Sequence, residues 1–431
     1  MALTVRRYAS ASFGDLSVVI PVLHYLGSFG TSQTLSYIQH NLLHLLPTSP
    51  LLTELFLRLQ STPSPTILID GIWLSNAYGG ISTVWSNILS FFSLLPTNSL
   101  TPPFLLVDRG IHSRFVHSLP TITAPPTDLL NPTDISTASN WISAFLESHH
   151  FDIFVSTWIT SAASNKRTKS IAIVHDCIPE RLFSSTYSLL SNRRTWIESS
   201  DSLLAVSQST SNDVQRYFPF RSNPHWIYPS PTPLFFKPST SSLPSRFPPK
   251  YVLLPSSSSI GSYKNPELVL NALQHPSLSD VHLVLTGFTS LSIAQSIQDR
   301  WPYLSSRIHP YVLDESQLIT AYTKALCVVI PSRLEGFGLP VVESLLVDAF
   351  VIVADSDGLR ESGGSACPRV HCDTPTTLAS WFLLASDPQS RRWYLNMTKH
   401  NRLHHLNNIH PYLLGLALLS LARSITSISY E

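Results

Sequence analysis

The stretch from Cys327 to Ala354 constrains this chain more than any other. An apolar run, Cys327-Val-Val-Ile330, leads through Pro331-Ser-Arg333 into Glu335-Gly-Phe-Gly-Leu-Pro-Val-Val-Glu343, and a second apolar run follows at Phe350-Val-Ile-Val-Ala354. The pattern predicts strand, glycine loop, helix, strand, which is one right-handed βαβ unit. Gly336 and Gly338 let the backbone reach φ > 0 and approach a ligand closely. Pro340 suits the first helical position, where its missing N–H is not needed. The N–H groups of the first helical turn, with the helix dipole, favour an anion such as phosphate above the strand end. Glu335 falls on the loop and Glu343 about one turn inside the helix. Two acceptor-only groups flanking a phosphate site suit a ligand with hydroxyls on both sides of a diphosphate, the layout of a nucleotide sugar. The plain alternative is an ordinary βα turn with Gly for geometry and Glu for solubility.

Around this unit, predicted strands alternate with helical patterns. The strands fall at Thr66–Asp70, Phe104–Asp108, Asp152–Ser156, Ser170–Val174, Ser202–Val206 and His225–Tyr228, then at Tyr251–Leu254, Val281–Leu285, Ile308–Val312, Cys327–Ile330 and Phe350–Ala354. Such alternation indicates α/β doubly wound domains. Pro229 to Pro249 is rich in Ser and Pro and forms the best boundary between them. The expected organisation is a helical extension over 1–60, a Rossmann-like domain over 61–235, a second over 236–395, and C-terminal helices over 396–431. In open α/β sheets ligands bind beyond the carboxyl ends of the strands. Gly79, Gly80, His175, Lys264 and Glu335 all follow predicted strand ends.

The segment Glu335 to Glu343 resembles the E-x7-E motif of the retaining glycosyltransferases of family 4, which have the GT-B fold. Ile67-Leu-Ile-Asp-Gly71 with Tyr78-Gly-Gly-Ile81, Leu105-Leu-Val-Asp-Arg109, Phe154-Val-Ser-Thr157, Val174-His-Asp176, Ala205-Val-Ser207 and Tyr263-Lys-Asn-Pro266 follow in the order that family shows. The resemblance spans about residues 66 to 395. It implies two Rossmann-like domains facing across a cleft, the second binding the nucleotide sugar, and transfer of a hexose to a hydroxyl acceptor with retention of configuration. It implies that Glu335 binds the donor sugar hydroxyls and Glu343 the ribose. Gly336, Phe337, Gly338 and Leu339 then offer backbone N–H groups to the donor, and Lys264 binds phosphate. His175 is the active-site histidine, with Asp176 orienting it or capping the next segment. Gly79 and Gly80 admit the donor from the first domain. Arg333 is added as a further donor-binding candidate. Without those companions, Lys264 is an ordinary solvated lysine, His175 a strand-end cap and Gly79-Gly80 a turn.

The resemblance also implies catalysis without a metal and no cofactor beyond the donor. His400-x3-His404 has helical spacing but lacks a third ligand. The expected partners are a nucleotide sugar and a hydroxyl acceptor: a saccharide, a lipid-linked saccharide or a glycoprotein glycan. A net charge of +1 with no basic run argues against nucleic acid. The four cysteines, Cys177, Cys327, Cys367 and Cys372, form no C-x2-C pair and suggest no disulfide framework, so a reducing, cytoplasmic setting is expected. Leu16 to Gly27 and Pro411 to Ile428 are apolar yet short or interrupted for a span of about 20 residues. They are expected as packed or interfacial helices, which leaves membrane-surface contact open.

Three positions depart from the family pattern. Ile260 stands in Ser256-Ser-Ser-Ser-Ile-Gly-Ser-Tyr-Lys264 where an Arg for the diphosphate is expected. Asp348-Ala-Phe350 replaces a small Gly-x-Pro turn, and the Gly-Val expected before Pro231 to Phe236 is absent. The loss of a bidentate phosphate ligand motivates a second reading, a non-catalytic nucleotide-sugar-binding or scaffold protein on the same fold. An epimerase or phosphorylase is a third.

Overall fold

The computed structural model describes residues 65–427 apart from 77–78, 94–103, 113–114, 116–118, 163–166, 183–186, 220–223, 240, 256–258 and 288–289. The helical patterns expected at Thr31–Leu46 and Ser49–Gln60, and the apolar stretch at Leu16–Gly27, fall outside the described residues. The chain divides into two compact units, one of Met1–Pro229 with His410–Glu431 and one of Ser230–Ile409. The division falls between Pro229 and Ser230, at the start of the Ser/Pro-rich 229–249 stretch.

The first unit is built on β1 (Ile67–Asp70), α1 (Gly80–Ser93), β2 (Phe104–Asp108), β3 (Thr121–Thr123), α2 (Pro132–Ser148), β4 (Ile153–Ser156), β5 (Lys169–Val174), α3 (Ile178–Leu182), α4 (Leu190–Ser199), β6 (Ser202–Ala205), α5 (Gln208–Tyr217) and β7 (His225–Trp226). Its sheet has the order β3-β2-β1-β4-β5-β6-β7, with every pair parallel. Strands β1 and β4 are buried at every residue, which is why they appear in the sequence as continuous apolar runs. Strand β3 was not expected: Thr121-Ile-Thr123 is exposed at the sheet edge and carries no apolar run. Strand β7 stops at Trp226, two residues short of the expected Tyr228.

Helix starts follow local chemistry. Asn131 accepts from Thr133 N–H at 3.0 Å to cap α2, and Ser207 accepts from Thr210 N–H at 3.0 Å to cap α5. The C-terminal helix Leu413–Ser427 belongs to this first unit and packs on α1. It is thus a packed helix, as its apolar, serine-interrupted sequence suggests. Gly415 is the close point: a Cβ there would lie 2.7 Å from Phe91 Cδ1.

The second unit continues with β8 (Tyr251–Leu254), α6 (Pro266–Ala272), β9 (His282–Thr286), α7 (Ser290–Arg300), β10 (Ile308–Tyr311), α8 (Glu315–Lys324), β11 (Cys327–Ile330), α9 (Leu339–Leu346), β12 (Val351–Ala354), α10 (Asp357–Gly363), β13 (Arg369–Val370), α11 (Pro375–Ser386) and α12 (Pro388–Leu406). Its sheet has the order β10-β9-β8-β11-β12-β13, again with every pair parallel. The period-2 alternation of strands splits the apolar residues between two cores. Val252, Leu254, Leu283, Leu285, Cys327, Val329 and Ile352 enter one, with α6, α7 and α11. Tyr251, Leu253, Val284, Val328, Ile330, Val351 and Val353 enter the other, with α8, α9 and α10. Two-residue β13 was not expected, being too short to leave a sequence pattern. The four cysteines are free thiols.

No helix among the described residues is long and apolar enough to cross a membrane. Replacing Gly415 with Leu is expected to overpack the helix crossing and to destabilise the first unit by about 1–3 kcal/mol. Thermal unfolding checks this; an unchanged or raised midpoint would refute the close crossing at Phe91.

Candidate functional site

In the second unit the chain leaves the central strands in opposite directions. From β8 it passes through α6 to β9 on one side. From β11 it passes through α9 to β12 on the other. Leu268, Val269 and Leu270 of α6 pack in one core, whereas Val341 and Leu345 of α9 pack in the opposite one. The two loops leaving β8 and β11 therefore diverge and open a crevice beyond the carboxyl ends of adjacent strands. That is the topological switch point at which doubly wound sheets bind ligands.

Lys264 comes from the first loop and Glu335 from the second. Lys264 Nζ lies 2.6 Å from Glu335 Oε1, and the two side chains are 25% and 15% exposed. A backbone bond from Arg333 N–H to the Tyr263 carbonyl, 2.8 Å, ties the loops beside this pair. Asn265 locks them further. It sits in the left-handed region at φ 54°, is buried, and donates through Nδ2 to the Cys372 carbonyl at 2.9 Å and the Pro331 carbonyl at 3.4 Å. Asn tolerates that conformation better than most residues.

The glycine loop has the geometry its sequence implies. Gly338 has φ 104° and caps α9, and a Cβ there would lie 2.7 Å from Leu359 Cδ2. The helix begins at Leu339, so Pro340 stands one place later than expected, still within the first turn, where no N–H is needed. Phe337 and Leu339 are buried and anchor the loop. Gly358 of α10 forms the floor: a Cβ there would come within 2.3 Å of the Glu335 carbonyl oxygen. Glu343 is half-buried in the second turn of α9, and its Oε2 accepts from the Tyr322 hydroxyl at 2.8 Å.

Arg333 lies at the rim and points elsewhere. Its Nη2 pairs with Asp373 Oδ1 at 2.6 Å, with both groups well exposed, and this pairing holds the Asp373 carboxyl below its usual range. Ile260 is half-buried and packs against the core that α6 covers, so the side chain in the expected Arg position faces apolar residues. Arg360 of α10 is likewise engaged, held by Asp355 and Asp357.

His175, Gly79 and Gly80 belong to the first unit. Gly79 has φ 106° and precedes α1, which starts at Gly80. A Cβ on Gly79 would meet open space, so only the backbone conformation demands glycine there. His175 follows the carboxyl end of β5. Its Nε2 is shielded from solvent and has no hydrogen-bond partner among the described residues. Burial, and then the nearby Arg193 cation, lower its pKa to about 3, so the imidazole is neutral at neutral pH. Arg193 is itself held by Glu180 at 2.7 Å and by the Asp176 carbonyl at 2.9 Å. Of the two roles considered for Asp176, its carboxylate takes the capping one, accepting from Ile178 N–H at 3.0 Å.

At the switch point of the first sheet lies an ion pair the sequence did not announce. Asp70 ends β1, and Arg109 follows β2. Asp70 Oδ1 accepts from Arg109 Nε at 2.8 Å and Oδ2 from Thr160 Oγ1 at 2.7 Å, with both charged groups almost wholly buried. Burial raises the Asp70 pKa against the pull of Arg109. Both residues stood in quoted motifs, but their pairing over 39 positions has no periodic signal. Asn265, Tyr322 and Gly358 were missed for the same reason. Among the described residues no group of three or more His, Cys, Asp or Glu could hold a metal ion. His400 and His404 lie on α12.

Residues 241–379 match the family model described as Glycosyl transferases group 1. The second unit carries a group 1 glycosyltransferase domain. The match contains Lys264, the glycine loop and both glutamates. No curated protein matches the chain in sequence. Among solved structures, Anabaena Alr3699/HepE in complex with UDP and glucose aligns with a TM-score of 0.61 at 14% identity, covering 85% of this chain and 100% of its own. Sucrose-phosphate synthase from Thermosynechococcus elongatus aligns with a TM-score of 0.64 at 15% identity, over 84% of this chain and 100% of its own. A glycosyltransferase from Rickettsia africae ESF-5 gives 0.62 at 16%, over 84% and 99%. At these identities the likeness is one of fold: two parallel sheets with flanking helices, as in GT-B glycosyltransferases.

The depressed His175 pKa sets a pH dependence. Above about pH 6.5 the group is neutral in both folded and unfolded chains. Below that the unfolded chain takes up a proton that the folded chain refuses until about pH 3. Folding stability is therefore lost as pH falls through this window, at up to about 1.4 kcal/mol per pH unit. His175→Gln is expected to lose less stability than the wild type between about pH 6 and pH 4 in denaturant titrations. Parallel losses would refute the neutral histidine.

Proposed function

We propose that this protein is a retaining hexosyltransferase that moves a sugar from a nucleotide diphosphate sugar to a hydroxyl acceptor. The observation that carries the reading is the Lys264–Glu335 pair at the switch point, at the mouth of the glycine loop that enters α9. A cation, a helix N-terminus and a carboxylate placed together suit a diphosphate joined to a sugar. Lys264 then moves from Glu335 to the diphosphate, which frees Glu335 to accept from donor sugar hydroxyls. The backbone of Gly336 to Leu339 faces the phosphates or the sugar, and Glu343 accepts from the ribose. HepE, with the same fold, was crystallised with UDP-glucose, which makes UDP-sugars the first donors to try.

In the proposed reaction the bond from the anomeric carbon to the β-phosphate oxygen breaks. The acceptor oxygen bonds to that carbon on the same face, and its proton passes to the departing phosphate. Fixed donors and cations directed at the leaving diphosphate supply most of the stabilisation in such a step. His175 is the proposed group beside the sugar ring; a neutral imidazole can both accept and donate a hydrogen bond there. Gly79 and Gly80 are proposed to face the donor from the first unit. The setting we propose is cytoplasmic, with a saccharide, lipid-linked saccharide or glycoprotein glycan as acceptor.

A second reading, donor binding without turnover, is favoured by one observation. Ile260 packs into the core where a second diphosphate cation was expected. The test separates the two. Purified protein is incubated with UDP-, GDP- and ADP-sugars, with and without acceptors, and nucleotide release and donor binding are followed. One donor is expected to release nucleotide, at a rate reduced about 100-fold or more in Lys264→Ala and Glu335→Ala. Binding without release under every acceptor supports the binding protein. Folded protein showing neither overturns both.

Ile260→Arg is expected to lower the unfolding temperature, because it removes an apolar side chain from the core. It should raise donor affinity by supplying a phosphate ligand. Unchanged donor affinity would dismiss the missing cation as a determinant of donor binding.

A further inference from the structure

Tyr322 is wholly buried on α8, yet its hydroxyl reaches the one carboxylate of α9. Both helices cover the same face of the second sheet, so the contact crosses between neighbouring helices rather than along one. The ring is clamped by the core around it, including Phe235, whose ring meets it edge-on with centroids 6.0 Å apart. Burial and the adjacent Glu343 charge push the Tyr322 phenol well above its ordinary range, so it stays protonated and acts as the donor. The bond therefore has one direction: the Tyr322 hydroxyl donates to Glu343 Oε2, which holds the carboxylate against a fully buried ring. A free Glu side chain at the second turn of a helix would rotate through several rotamers, and ordering it on binding would cost free energy.

We propose that Tyr322 is a positioning residue for the ribose of a bound nucleotide, acting through Glu343. The inference rests on the nucleotide-sugar reading of the site and names a residue that reading did not contain. Tyr322 touches no ligand. Its effect is to present Glu343 already oriented, so the loss of its hydroxyl weakens only those ligands that use Glu343.

The test uses the full chain and calorimetric binding of UDP, GDP and ADP, of the 2′,3′-dideoxy form of whichever binds, and of inorganic pyrophosphate. Tyr322→Phe keeps the ring in the core. It is expected to weaken the nucleoside diphosphate about tenfold, the scale of one hydrogen bond to a charged group, and to leave pyrophosphate and the dideoxy analogue at wild-type affinity. On a Glu343→Ala background the same substitution is expected to change nothing, the mark of two residues acting as one. Unchanged nucleoside diphosphate affinity in Tyr322→Phe overturns the proposal alone. Equal weakening of pyrophosphate also overturns it, because the tyrosine would then support the fold of the loop and not the ribose. A wild-type chain that binds no nucleoside diphosphate overturns the nucleotide site and this proposal together.

Discussion

The divergence of α6 and α9 from adjacent parallel strands is the constraint on which the candidate site depends. Each helix must bury its apolar side against the sheet, and the two bury on opposite faces. Within this unit the loops leaving β8 and β11 therefore lie beyond the strand ends, between the two helix layers. Lys264 and Glu335 stand on those loops and neutralise each other across the gap. With about a fifth of their surface exposed, they form a pair of intermediate kind. Fully exposed pairs contribute about 1 kcal/mol or less, and a well-buried pair costs several when one partner is removed. A diphosphate offers Lys264 more charge than one carboxylate does, so this pair is suited to exchange partners.

The surroundings of the pair are held by buried hydrogen bonds and close backbone packing. Asn265 spans three loops with one side-chain amide, and Gly358 lets α10 press against the Glu335 backbone with no side chain between them. Gly338 accepts a left-handed conformation that also leaves no room for a Cβ. In the first unit, Asp70 and Arg109 play a comparable part at its switch point. Their charges are wholly desolvated but matched by Thr160 and backbone carbonyls, which is the condition for keeping a buried pair. That pair fixes the ends of β1 and β2, and the Gly79 loop departs from β1.

The departures from the family pattern acquire physical meaning only in three dimensions. Asp348 replaces a glycine-containing turn, and it adopts φ 58°, the conformation for which glycine is the usual choice. Its carboxylate meets Arg402 of α12 at 2.8 Å, while the Arg402 side chain is almost buried. The strain at Asp348 is thus offset by a partner for a cation that would otherwise lie unpaired beneath the surface. Ile260 is different: its side chain packs against the core, and neither Arg333 nor Arg360 turns to replace the missing charge, since both are engaged by aspartates.

Most of the fold was legible because buried parallel strands write themselves as apolar runs of four to six residues between glycine- and proline-rich turns. The strands that escaped, β3 and β13, are an exposed edge and a two-residue stub, which bury too little to leave such a trace. By itself the sequence determined the two α/β units, the glycine loop entering α9, and the placement of Lys264, Glu335, Glu343 and His175 after or beside strand ends. Spacing along the chain suffices there, because a strand, a turn and a helix start are local events. Tertiary structure alone decided that Lys264 meets Glu335 across 71 positions, that Tyr322 holds Glu343, that Asp70 holds Arg109, and that Ile260 turns inward. Those outcomes depend on which face of the sheet each helix covers, and facing is settled by packing the whole core, not by any segment of it.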